Sequence, residues 1–159
     1  MTLRQIGIIH TPHREATGSP VQSALAGDVI GTVEVFPEFV AGLHDLHGFE
    51  RVWLLYWFDR AKPVELMVKP YLDTQERGLF ATRAPAQPNP IGMSSVRLVR
   101  IEGSVLHVEG VDMLDGTPLL DIKPYVPRFD VFEANRVGWL GEAQGQAAVA
   151  DNRFEQRKI

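Results

Sequence analysis

The apolar positions along the chain indicate strands far more often than helices. Alternating or continuous apolar segments predict strands at residues 4–12, 32–36, 50–59, 64–69, 78–82, 94–102, 104–113 and 117–125. The run Val52–Phe58 is typical of a strand that is buried on both faces. Between Leu98 and Val99 the alternation slips by one position, as a β-bulge would produce.

Helical signals are weak by comparison. Pro37 favours a helical turn that Gly42 ends, and two glycines weaken a helix over 139–150. The polar stretch 13–31 indicates a long loop, which in a compact domain usually has a function. Short strands without regularly alternating helices predict a mainly β protein, a small antiparallel β-barrel with short helices and a helical or irregular C-terminal tail.

Length and composition narrow the class of protein. With 159 residues, 45% of them hydrophobic and 23% charged, the chain is long enough for one folded domain over 1–159, with a core at about 4–127 and a tail at 128–159. Lys and Arg total 16 against 20 acidic residues, and this net charge of −4 argues against bulk coating of nucleic acid while leaving a local basic patch open. The absence of cysteine excludes disulfides, thiol nucleophiles and cysteine-ligated metals.

Nothing in the sequence indicates a membrane or export signal. The N-terminal apolar run is too short for a signal peptide. The longest apolar run, Val52–Phe58, is far shorter than the roughly 20 residues of a membrane helix. We therefore expect a cytoplasmic protein.

The segment Phe80–Ser94 is the first candidate for chemistry. Prolines at 85, 88 and 90 stiffen its backbone, so ordering it around a ligand costs little entropy. Arg83 offers a fixed positive charge for a carboxylate or phosphate, and Asn89 offers both a donor and an acceptor. A stiff turn that joins two barrel strands explains the same residues equally well.

The second candidate is the segment Asp112–Tyr125. Asp115-Gly116 is a hairpin turn signal between two apolar runs. Asp121, Lys123 and Tyr125 share one face of the following strand. These polar side chains are consistent with a site and equally with a solvated face.

A third segment and the histidines are less informative. The loop Glu15–Gln22 is a plausible binding loop. The pairs His10/His13 and His44/His47 lack the pattern of a zinc protease, so we expect no metal site. Because loops 18–22, 83–93 and 112–116 are the polar breaks between apolar strands, we expect them to form one pocket.

Together these segments resemble the TsaA-like (TrmO, formerly YaeB) family of S-adenosylmethionine-dependent tRNA methyltransferases. The resemblance rests on Phe80-Ala81-Thr82-Arg83, Pro88-Asn89-Pro90-Ile91-Gly92 and Leu114–Tyr125, and it covers about three quarters of the chain. It implies a β-barrel homodimer with the cofactor site near the subunit interface. It also implies N6-methylation of N6-threonylcarbamoyladenosine beside the tRNA anticodon.

The resemblance also implies which residues bind S-adenosylmethionine. By position they are Pro20, Val21, Gln22, Asp59, Arg60, Arg83, Met93, Asp112, Met113, Leu114 and Asp115. The chain departs from the family at Asp59-Arg60, where a His-Gln-type pair is common. It departs again at Gln87, where many members have arginine. We expect the chain to lack the extra C-terminal domain of longer bacterial members.

Methyl transfer also needs an acceptor site and a base. Asp115 or Asp59 is expected to take the proton from N6 as the catalytic base, and Asn89, Lys123 and Tyr125 are expected to bind the substrate. Three alternatives to a tRNA methyltransferase remain. The chain could act on a different RNA or on a small molecule, it could be a non-catalytic cofactor-binding regulatory module, or it could be a structural interaction barrel. Binding of S-adenosylmethionine and turnover on modified tRNA distinguish these possibilities.

Overall fold

In the computed structural model, which describes residues 2–141 and 149–155, the strands build one closed antiparallel barrel and a small separate sheet. The strands are β1 (Gly7–His10), β2 (Ile30–Val35), β3 (Arg51–Trp57), β4 (Met67–Val68), β5 (Arg77–Gly78), β6 (Ile91–Glu102), β7 (Val105–Glu109) and β8 (Thr117–Pro124). The barrel order is β1-β2-β7-β6-β3-β8, and β8 pairs with β1 to close it. The expected fold class is thus confirmed. In the described part of the chain, no helix is long and apolar enough to span a membrane.

Helices in the described residues are short. They are α1 (Pro127–Asp130) and the 3-10 helices Ser23–Leu25, Pro37–Leu43, Leu46–Gly48, Leu79–Ala81 and Gly138–Gly141. The helical turn expected at Pro37 is confirmed, although it continues past Gly42 to Leu43. Of the helix expected over 139–150, residues 142–148 lie outside the described part. Residues 138–141 form only a 3-10 turn, and Val149 pairs with Pro20 in a β-bridge.

The barrel core comes from alternate residues of each strand. In β3 the side chains of Val52, Leu54 and Tyr56 are buried, whereas those between them are only partly buried. The prediction that Val52–Phe58 is buried on both faces was therefore wrong. A closed barrel has a single interior, so the outward apolar residues pack against neighbours on the outer surface instead, as Trp53 does against Tyr125 with 5.6 Å between ring centroids.

The β-bulge expected in the sixth strand is confirmed. The pairing of β6 with β7 shifts register between Leu98 and Arg100. Leu98 faces the interior, Val99 is 45% exposed, and Ile101 packs against the core again. The extra residue thus restores the inward phase for the end of the strand.

Two expected strands are largely absent. Residues 64–69 contribute only the two residues of β4, and residues 78–82 form mainly a 3-10 helix. The two-residue strands β4 and β5 pair only with each other, outside the barrel. Without a longer partner strand, these segments have no ladder that would extend their pairing.

Gly92 permits a close contact beside the core. It lies opposite Tyr56 across β3 and β6, and a Cβ atom there would lie 2.2 Å from the tyrosine ring. Forcing extra volume into a packed core costs about 1–3 kcal/mol. We expect Gly92→Ala to lower the melting temperature by about 2–12 °C, at roughly 2–4 °C per kcal/mol for a chain of this size.

Thermal unfolding followed by circular dichroism tests this expectation. Gly42→Ala is the matched control, because nothing lies within 4 Å of a Cβ atom at Gly42. Equal melting temperatures for the two variants would contradict the expected clash.

Candidate functional site

A large, mostly apolar cavity of about 770 Å³ opens where β3 ends and β6 begins. The loops expected at 18–22, 83–93 and 112–116 all contribute to its wall. The loop after β3 and the segment 70–72 complete it. Tyr56 and Met113 belong both to the wall and to the barrel core, so the floor of the cavity is the end of the core itself.

The cavity collects most of the side chains that the sequence singled out. Those that line it are Pro20, Val21, Gln22, Asp59, Arg60, Arg83, Met93, Asp112, Met113 and Leu114. Residues far apart in the sequence thus meet at one end of the barrel. Asp115 is the exception in that set, since it does not line the cavity.

The Asp115 carboxylate faces a cluster of donors instead. Its oxygens accept hydrogen bonds from the Thr11 amide at 3.1 Å and from the Arg14 guanidinium at 2.6 Å, and His10 lies 3.5 Å away. Partial desolvation works in the other direction, but the Thr11 amide and the Arg14 and His10 charges hold the pKa of Asp115 below its ordinary value. A carboxylate held in this way is a weak proton acceptor.

Arg60 joins the loop after β3 to the hairpin turn at 115. One terminal nitrogen donates to the Asp115 carbonyl oxygen at 2.8 Å. The Nε atom of Arg60 lies 3.4 Å from Asp59 Oδ1. Among the buried side-chain nitrogens and oxygens of the described residues, this Nε is the one that makes no hydrogen bond. A buried cation with an unused donor in the cavity wall is suited to an anionic ligand.

Arg83 lies at the rim of the same cavity. Its guanidinium donates to the side-chain oxygen of Gln22 at 2.8 Å, which links the proline-rich loop to the loop at 18–22. Near this rim the Trp139 indole donates to the Ala81 carbonyl at 2.8 Å. The Arg83 charge has no acidic partner in the described residues, so it is available to a bound anion.

A chain of hydrogen bonds crosses the floor of the cavity. Ser94 Oγ donates to Asp112 Oδ1 at 2.6 Å, and the Tyr56 hydroxyl lies 3.0 Å from Ser94 Oγ. Since Ser94 uses its proton on Asp112, Tyr56 donates to Ser94. Desolvation raises the pKa of Asp112 to about 6, despite the hydrogen bond from Ser94. Burial likewise raises the pKa of Tyr56, which therefore stays protonated.

The C-terminal segment 149–155, which we call the strap, also lines the cavity. Ala150 exchanges backbone hydrogen bonds with the loop at 18–19, and the Lys62 amide donates to the Phe154 carbonyl at 3.1 Å. Arg153 donates to the Lys69 and Pro70 carbonyls. Phe154 is 8% exposed and packs with Val68, Leu79, Ala84 and Ala86 in a second, smaller core.

The sequence pattern did not predict the strap. Its only signal is an aromatic residue, Phe154, among the polar residues of 151–155. Tyr56 and Ser94 were not predicted either, because the pattern of a strand gives no sign of which inward residue lies beneath a cavity.

The expected substrate residues lie in different places. Asn89 lines a shallow recess beside the cavity, together with Phe80 and Gln87. Lys123 pairs with Asp121 at 2.8 Å on β8, and Tyr125 packs on Trp53. Neither Lys123 nor Tyr125 lines the cavity. In the described residues no group of three or more metal-ligating side chains lies together.

Comparison with protein families agrees with this geometry. Residues 8–131 match the model of the tRNA-methyltransferase O N-terminal domain. A probable S-adenosyl-L-methionine-binding protein of Pyrococcus abyssi is 58% identical over 137 residues, which cover 86% of this chain and 74% of that protein. A mouse tRNA (adenine(37)-N6)-methyltransferase is 41% identical over 91 residues, 55% of this chain and 21% of the mouse protein.

Solved structures have the same fold. The crystal structure of TrmO from Pseudomonas aeruginosa superposes with a TM-score of 0.73 at 40% identity. The match covers 87% of this chain and 62% of that one, so the present chain spans less than two thirds of the solved structure.

Proposed function

Because the chain belongs to the family of the tRNA-methyltransferase O N-terminal domain, an S-adenosylmethionine-dependent methyltransferase family, we propose that it methylates N6 of an adenine base in tRNA. The cofactor expected from the sequence is confirmed by relatives that are named for binding S-adenosylmethionine. The observation that carries the proposal is the cavity at the end of the barrel, in which two arginines face a mostly apolar wall.

The residues of the cavity fit this cofactor. Its adenine and thioether need apolar surface, and its carboxylate needs a cation. The unused buried donor of Arg60 fits the carboxylate, and the stiff loop that carries Arg83 offers a second cation at the rim. Gln22 and the backbone around Leu114 would supply amide contacts.

Methyl transfer requires the protein mainly to hold and align its partners. When bound, the cofactor supplies an electrophilic methyl group on a sulfonium, so no metal or nucleophilic side chain is needed. Prolines at 85, 88 and 90 restrict the backbone of one cavity loop, and the strap is hydrogen-bonded to the loop at 18–19. Holding the acceptor nitrogen in line within this wall supplies much of the rate increase.

We propose more specifically that the adenosine methylated is N6-threonylcarbamoyladenosine next to the tRNA anticodon. This nucleoside carries a carboxylate beside the reacting N6, and the uncompensated charge of Arg83 at the cavity rim suits it. Asn89 in the adjoining recess would contact the same base. Lys123 and Tyr125, which lie away from the cavity, would contact more distant parts of the tRNA.

We propose that the chain acts as a homodimer, with the cofactor site near the subunit interface. Large apolar side chains are exposed around the cavity: Phe80 at 79%, Met93 at 51% and Leu140 at 48%. Such a cluster is unusual on a monomer and would be covered by a second subunit. Light scattering that gives a monomer able to bind the cofactor would disprove the shared site.

Methylation of defined tRNAs tests the function. The purified chain, S-adenosylmethionine and tRNA with or without threonylcarbamoyladenosine are incubated, and the nucleosides are analysed by mass spectrometry. We expect one added methyl group on the modified adenosine only. Cofactor binding without methylation of either tRNA would favour the alternative of a non-catalytic or differently specific cofactor-binding barrel.

Arg83→Ala is expected to weaken binding of the cofactor or of the acceptor about 10- to 150-fold. Losing a charge-assisted hydrogen bond costs about 1.5–3 kcal/mol. Pro85, Pro88 and Pro90 stiffen the loop, so the fold should persist. Calorimetry with S-adenosylhomocysteine and initial rates on modified tRNA measure the two affinities. Arg83→Lys keeps the charge without the planar fork and should recover only part of the loss. Unchanged affinity and rate in both variants would place Arg83 outside the site.

A further inference from the structure

Three carboxylates line the cavity, and their surroundings differ. Asp59 lies beside the Arg60 guanidinium. Glu155 accepts a hydrogen bond from the Ala16 amide at 2.9 Å. Asp112 pairs with no lysine or arginine in the part of the chain that the structure describes, and its carboxylate lies against Ser94, which is 2% exposed. Its carboxylate is thus held by a buried side chain of β6 and faces no lysine or arginine in the described residues.

We propose that Asp112 is the catalytic base that accepts the N6 proton of the acceptor during methyl transfer. This inference rests on the proposed function and replaces Asp115 and Asp59 in that role. Asp115 does not line the cavity and is held by Arg14 and the Thr11 amide. Asp59 already faces the Arg60 guanidinium, with 3.4 Å between Arg60 Nε and Asp59 Oδ1.

The proton and electron balance is simple. N6 uses an electron pair to form the bond to the methyl carbon, and the sulfonium sulfur keeps the pair from the bond that breaks. N6 then has four bonds and a positive charge, and it loses its hydrogen as a proton to Asp112. Ser94 and Tyr56 stay protonated and hold one Asp112 oxygen in place, which leaves the carboxylate able to take the proton on the side of the cavity.

The environment of Asp112 predicts the pH dependence of the rate. The groups that face it are Ser94 on β6, Tyr56 on β3, the Ser23 amide and the imidazole of His13. Because desolvation raises the pKa of Asp112 to about 6, the carboxylate form grows as pH rises through that value. We expect kcat/KM, which reports the pKa values of the free enzyme, to rise across the same range and to level off above it. The Ser94 hydrogen bond favours the charged form, so Ser94→Ala should move the midpoint to higher pH.

The decisive variant is Asp112→Asn, which keeps the shape and removes the basicity. We expect kcat on modified tRNA to fall by about 100-fold or more, the range typical of a lost general base. Affinity for S-adenosylhomocysteine, measured by calorimetry, should stay within about threefold. Asp28→Asn, at an exposed aspartate outside the cavity, is the matched control and should keep the wild-type rate.

Thermal stability gives a readout that does not depend on activity. A carboxyl whose folded-state pKa is raised stabilises the fold when protonated, and this contribution is lost as pH rises from its ordinary value to about 6. Asp112→Asn should therefore melt at a higher temperature than the wild type at pH 8. The difference should shrink towards pH 4, where the wild-type carboxyl is protonated.

Each remaining outcome has a clear meaning. If Asp112→Asn binds the cofactor more weakly but keeps the wild-type kcat, Asp112 is not the base. That result would overturn the inference and leave the proposed function standing. So would a pH dependence that persists in Asp112→Asn and disappears in His13→Gln, because the imidazole would then be the titrating group. A wild-type chain that binds S-adenosylhomocysteine but methylates no tRNA would overturn the proposed function and this inference together.

Discussion

Replacing Arg60 by alanine is expected to weaken binding of S-adenosylhomocysteine about 100-fold. Arg60 donates to the Asp115 carbonyl, which fixes the turn at 112–116, and its buried Nε has an unused hydrogen. The variant loses the hold on the turn and the proposed contact with the ligand carboxylate. Two charge-assisted hydrogen bonds of about 1.5 kcal/mol each correspond to a factor of roughly 100.

Calorimetry measures this loss, and circular dichroism verifies that the barrel remains folded. Arg100→Ala is the matched control, because Arg100 lies on the same long strand as Met93, near the opposite end, and pairs on the surface with Glu102. We expect the control to bind like the wild type, since exposed ion pairs contribute little. A loss of only about tenfold would mean that Arg60 acts through the turn alone, and wild-type affinity would place Arg60 outside the cofactor site.

Local sequence patterns predicted the barrel strands because each strand carries its own alternating or continuous apolar segment. The bulge between Leu98 and Val99 was visible for the same reason, since a slip in phase is a local signal. Burial of Val52–Phe58 on one face only depends on closure of the barrel, which joins β8 to β1 and is not encoded in any single segment. A closed barrel has one interior. A strand that is apolar on both faces does not show which face points into that interior.

The candidate site shows the same division between local and distant information. The loops at 18–22, 83–93 and 112–116 were identifiable by their glycines, prolines and polar residues. The direction of each side chain was not, since Asp112 and Asp115 lie three positions apart and face different surroundings. Thr11 and Arg14, which bind the Asp115 carboxylate, are about 100 positions away in the chain. Such partners follow only from the assembled fold.

The strap is the part of the site that the sequence indicated least, and a single variant tests its role. We expect Phe154→Ala to release residues 149–155 from the cavity wall while the barrel stays folded. Phe154 packs in the small second core, and its ring lies 5.1 Å from that of Tyr71. Replacing a buried phenylalanine by alanine costs about 3–5 kcal/mol. Three backbone hydrogen bonds and those of Arg153 remain, at about 1 kcal/mol each, so the variant loses a large part of the free energy that holds the strap in place.

Hydrogen exchange and calorimetry report the release directly. The amides of Gly18 and Ala150 join the strap to the loop at 18–19, and their exchange should accelerate at least about 100-fold, as a local loss of about 3 kcal/mol implies. Affinity for S-adenosylhomocysteine should fall at least about tenfold, because Pro20 and Gln22 lose the neighbour that fixes their loop. Phe132→Ala, at a residue that is 82% exposed, is the control. If exchange at Ala150 and cofactor affinity both match the control, the loop at 18–22 holds its position without the strap.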